Sequence, residues 1–159
     1  MNGVRLKSES FLQVFAPLAS EVGHLFWTME LQGGPFVTAR QPEAVAAALK
    51  RFAVGSDATV WRPGVFPEFA HLLVSDEWGY FVGLAGPEEE ACRSAASLRR
   101  LTWPADLLVE PAVKLLELLL IELEPGEWEV YSNHQRWLDL LRSHRQTTDV
   151  DSRHGEWAD

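Results

Sequence analysis

One cysteine, Cys92, is all the thiol chemistry in this chain, so no internal disulfide can staple its core. The start has no apolar stretch of the kind a signal peptide carries, and with the lone thiol this leads us to expect a reducing, cytoplasmic setting. Long apolar runs are missing as well. The longest candidate is interrupted by Lys114, Glu117 and Glu122 and falls short of the roughly 20 residues that span a bilayer, so no membrane association is expected. Basic residues are scarce, with 14 Lys and Arg against 23 Asp and Glu and a net charge of −9. Binding to a nucleic-acid backbone needs clustered cations that neutralise phosphates, and that partner is therefore argued against.

Catalytic signatures are missing too. No G-x-x-x-x-G-K-[ST] loop, no G-x-G-x-x-G fingerprint and no G-x-S-x-G elbow occurs. The histidines at 24, 71, 134, 144 and 154 include no i, i+4 pair, and Cys92 follows three glutamates that disfavour a thiolate. Glu88, Glu89 and Glu90 are read as a solvated, dipole-compensating helix start rather than as an acid/base pair. We accordingly expect no cofactor, no metal and no catalytic residue.

What is present is an ordinary globular composition, 47% apolar and 23% charged over 159 residues, enough for one domain with a core of its own. The apolar pattern holds over 1–145 and fades over 146–159, which predicts a single domain followed by a disordered tail. The stretch richest in apolar surface is Pro111 to Tyr131. Its charges at 114, 117 and 122 gather on one side of a helix and leave Val113, Leu115, Leu116, Leu119, Leu120 and Leu123 on the other, so a buried amphipathic helix ended by Pro125-Gly126 is predicted. A hairpin over 119–131 is the competing reading. It ranks second because a Pro-Gly loop favours a type II turn, and because simple pairing sets Glu124 against Glu127 and Glu122 against Glu129.

Elsewhere, Ser10 opens a short helix to about Val22 that Pro17 kinks or shortens, and 24–31 and 36–39 read as a strand pair. Pro42 opens a helix over 43–52, 58–62 and 78–84 read as strands, and 66–75 is open between helix and strand with a lean to strand. A helix over 87–101 carries acids first and arginines last, a strand is expected at 127–131, and a helix capped by Ser132 or Asn133 runs to about His144. Residues 1–8 are expected to be loose. Together these predict an α+β domain with a largely antiparallel sheet of about 4–6 strands packed with about 4–5 helices.

Function is expected from charge. Between Pro104 and Asn133 seven acids face Lys114 alone, a local surplus of −6. The plainer interpretation is a solvated face kept for solubility. The sharper one is a surface of Glu122, Glu124, Glu127 and Glu129 with Trp128 as aromatic anchor, suited to a basic protein partner in the manner of an inhibitor or immunity protein. The alternative, from another class, is an enzyme or small-ligand domain whose pocket is lined by Trp and His.

Overall fold

The computed structural model describes residues 1–8, 10–31, 41–55, 59–73, 79–98 and 115–151. They build one sheet of eight strands in which every pairing is antiparallel, with helices on both faces, so the α+β class stands. The strands are β1 (Asn2–Lys7), β2 (Phe26–Leu31), β3 (Ala53–Val54), β4 (Val60–Trp61), β5 (Gly79–Leu84), β6 (Leu116–Glu124), β7 (Glu127–Ser132) and β8 (Thr147–Asp151), in the order β3-β4-β2-β5-β6-β7-β1-β8. The helices are α1 (Phe11–Phe15), α2 (Ala19–Val22), α3 (Pro42–Phe52), α4 (Val65–Phe69), α5 (Glu88–Leu98) and α6 (Gln135–His144), with 3₁₀ turns at Ala16–Leu18 and Ala70–Leu72. No helix among the described residues is long and apolar enough to cross a membrane.

The sheet divides the apolar side chains in two. One face carries Val4, Leu6, Trp27, Phe81, Leu118, Leu120, Trp128 and Val130, packed against α1 to α4 and α6. The other carries Tyr80, Val82, Leu119, Ile121 and Tyr131 under Ala91, Ala95 and Leu98 of α5. Central strands β5 and β6 therefore carry apolar side chains on both faces, and here the organising stretch departs from the expected helix. Leu116–Glu124 is strand β6, hydrogen-bonded to β5 on one side and β7 on the other. A strand buried on both faces reads as a continuous apolar run, which periodicity cannot tell from a buried helix. Leu118 and Ile121, both left off the helical face, have no exposed surface.

The hairpin forms in spite of the two objections raised against it. Gly126, at φ 82°, supplies the left-handed residue that the Pro-Gly turn needs, and an irregularity between Glu122 and Glu124 shifts the register. Glu122 consequently lies opposite Trp128, and Glu129 opposite Ile121, so only Glu124 and Glu127 remain like against like.

Both ends of the described chain join the sheet. Residues expected to be loose form β1, which inserts between β7 and β8, and 147–151 of the expected tail form β8 along the outer side of β1. These two strands and the two-residue β3 carry the count past the expected 4–6: β1 has only Val4 and Leu6 as large apolar side chains, β8 is mostly polar and β3 is minimal in length, so each depends on neighbours for its strand conformation. At Gly3 the ring of Tyr131 crosses the backbone so closely that a Cβ built there would stand 2.5 Å from it. The 66–75 stretch, where the sequence leans to strand, is instead helical over 66–72, as α4 and a 3₁₀ turn follow Gly64. Ser10 caps α1 as expected, its hydroxyl accepting from the Gln13 N–H at 3.4 Å, and Pro17 falls where α1 gives way to the 3₁₀ turn. The expected strand at 36–39, the first part of the expected helix at 111–114 and the tail from 152 lie outside the described residues.

Candidate functional site

Alternation along β7 decides where the expected site residues point. Trp128 and Val130 face the larger core, and Glu129 and Tyr131 face the other side. Trp128 is only 1% exposed, lies 5.9 Å from the Phe11 ring and 6.2 Å from that of Phe81, and donates its indole N–H to the Ser8 carbonyl at 3.2 Å. It pins the start of the α1 segment to the hairpin and has no surface to offer a partner.

Glu129 is inside as well. Arg5 donates to its Oε1 from Nη2 at 2.6 Å and from Nε at 3.1 Å, while the Tyr131 hydroxyl donates to Oε2 at 2.6 Å. Burial of a carboxylate requires such pairing, because an unpaired buried charge costs several kcal/mol or about that order. Glu122 is 3% exposed and accepts from the Gly126 N–H at 3.4 Å, which ties it to the turn. Of the five residues expected at the site, Glu124 is exposed and Glu127 is half-buried beside the Lys7 ammonium at 3.1 Å; the other three belong to the interior.

The tryptophans sort the same way. Trp27, Trp61, Trp128 and Trp137 are buried, whereas Trp78, Trp103 and Trp157 lie outside the described residues. Trp61 Nε1 is buried without a hydrogen-bond partner among the described residues. Trp137 lies between His134, 4.2 Å away ring to ring, and His24, at 6.5 Å. His134 Nε2 is 2.5 Å from Glu117 Oε2, and Ser132 Oγ binds both the His134 N–H and the Glu117 carbonyl. This cluster fixes the junction of β6, β7 and α6. Among the described residues no three His, Cys, Asp or Glu side chains converge as metal ligands, and Cys92 is half-buried on α5.

A cleft that sequence reading did not anticipate opens at the far end of β1. Arg5, Leu6, Lys7, Glu127, Arg145, Gln146 and Thr148 line a volume of about 430 Å³, and a shallower hollow beside it shares Lys7 and Arg145 with Ser8, Gln13 and Gly126. Only folding brings these together, since residues 5–7 meet 145–148 through the β1–β8 pairing. Close by, Arg142 joins α6 to β8: its guanidinium donates to Asp149 at 2.7 Å and to Asp139 at 2.7 Å. The Gln135 amide and then Arg142 hold the Asp139 carboxyl below its ordinary value, and the Asp149 carboxylate holds the Arg142 guanidinium above its own. Compared with known proteins, the chain matches no family model, no curated protein and no solved structure.

Proposed function

We propose that the chain is a non-enzymatic binding protein that engages a basic protein partner through surface charge, in the manner of an inhibitor or immunity protein acting in the cytoplasm. The observation that carries the reading is the pairing pattern of its acids. The net charge is −9, and Glu43, Glu89, Glu90 and Glu124 are exposed with no ion-pair partner among the described residues. Exposed carboxylates of this kind raise the rate at which a cationic surface is met. With Trp128, Glu122 and Glu129 taken into the interior, the proposal rests on charge alone, and Glu124 at the hairpin tip and Glu89 and Glu90 on α5 replace the expected centre.

The alternative of a Trp- and His-lined pocket draws no support from the cleft at β1, whose described lining contains neither residue. The test is affinity capture with wild-type protein and with a Glu89→Lys, Glu90→Lys, Glu124→Lys variant. A basic protein retained by the first and lost by the second is the expected result. Equal retention by both would remove charge as the basis of recognition.

A further inference from the structure

We propose that the cleft between β1 and the corner joining α6 to β8 is a site for a small oxyanion, a carboxylate or a phosphate group, with Arg145 as its principal ligand. Acids outnumber bases 23 to 14 here, so a partly buried arginine would be expected to find a carboxylate. Arg145 has no ion-pair partner among the described residues, although its side chain lines both the cleft and the hollow beside it. Its backbone is fixed by an N–H bond to the Leu141 carbonyl at 2.9 Å and leaves α6 extended at φ −143°, ψ 153°, so the guanidinium is carried on an anchored Cα.

The other charges of the cleft balance in pairs. Arg5 is matched by Glu129 and Lys7 by Glu127, which leaves Arg145 as the cleft's cation without a carboxylate among the described residues. Lys7 is 85% exposed and its pair with Glu127 is of the weak surface kind, free to exchange its partner for a ligand oxygen. Gln146 and Thr148 add an amide and a hydroxyl that form no hydrogen bond with other described side chains. A planar guanidinium fork flanked by an ammonium and neutral donors matches the oxygens of a carboxylate or phosphate. At about 430 Å³ the cleft suits a small molecule, and one cation without a carboxylate among the described residues is too few for a nucleic-acid backbone. This site is independent of the acidic surface proposed above, which lies on other residues.

The experiment is an NMR titration of the full chain with inorganic phosphate and, separately, with citrate, each against chloride at matched ionic strength. Saturable amide shifts at Arg145, Gln146 and Thr148 with phosphate or with citrate are expected, and the arm that saturates identifies the source of the oxyanion. Because the Arg145 side chain holds no partner among the described residues, Arg145→Gln should fold as the wild type does and bind about tenfold or more weakly, while Glu124→Lys should bind as the wild type does. Shifts no different from chloride in both arms, or full affinity in Arg145→Gln, would overturn the site.

Discussion

Arg5 and Glu129 face each other across the β1–β7 pairing, with Nη2 2.6 Å from a carboxylate that has no exposed surface. The N-terminal strand thus brings the countercharge that lets an acid of the hairpin turn inward. Removing one member of such a pair leaves the other desolvated and unmatched. Glu129→Ala should destabilise the fold by about 3 kcal/mol, the lower end for a buried pair because the Arg5 side chain keeps 30% of its exposure. Urea unfolding measures it, and a loss below about 1 kcal/mol would contradict the pairing argument.

Strand β6 buries both of its faces, so truncation on either should be costly. Leu118→Ala and Leu119→Ala, pointing into opposite clusters, are each expected to cost about 2–5 kcal/mol. A helix with one apolar face would leave Leu118 almost indifferent to the change, so a near-neutral Leu118→Ala would restore the helical reading.

Ending the chain after Arg145 removes β8 and uncovers the outer side of β1. The melting temperature should fall by several degrees, at about 2–4 °C for each kcal/mol lost in a chain of this size. An unchanged melting temperature would show that β8 contributes nothing and that the domain ends at 145, as composition suggested.

Asp139 sets a pH dependence at the α6–β8 corner. Its carboxyl is held below its ordinary value of 3.8 by the Gln135 amide and Arg142, so in this region the unfolded chain binds more protons than the folded one. The stabilisation is complete above the unfolded value and is lost as pH falls through it toward the folded value. Unfolding curves of the wild type and Asp139→Asn should therefore differ at neutral pH and converge below about pH 4. A gap that widens on acidification would contradict the sign.

Much of the fold was legible where one element has one buried face. The α3 helix announces itself by Pro42, a run of alanines and a basic last turn, and α5 by its acids at the start. The β6–β7 hairpin was not legible, because its register depends on an irregularity at Leu123 that no local pattern encodes, and because the partners of Glu127 and Glu129 lie on β1, more than a hundred residues away. The candidate site misled for the same reason. Glutamates at alternate positions beside a tryptophan look like a surface strand until Arg5 and Tyr131 are placed around one of them. Nor could the cleft be read from sequence, since Lys7 and Arg145 are joined only by the sheet.

The most direct test of recognition through unpaired surface acids is the association rate of the captured basic partner as salt is varied. The wild-type rate should fall steeply as salt rises to a Debye length of about 10 Å at 0.1 M, and Glu89→Lys, Glu90→Lys, Glu124→Lys should associate slowly with a much flatter salt dependence. Trp128→Ala, corrected for its loss of folded protein, should retain the wild-type rate. Equal rates and equal salt slopes for the wild type and the charge-reversed variant would contradict the account.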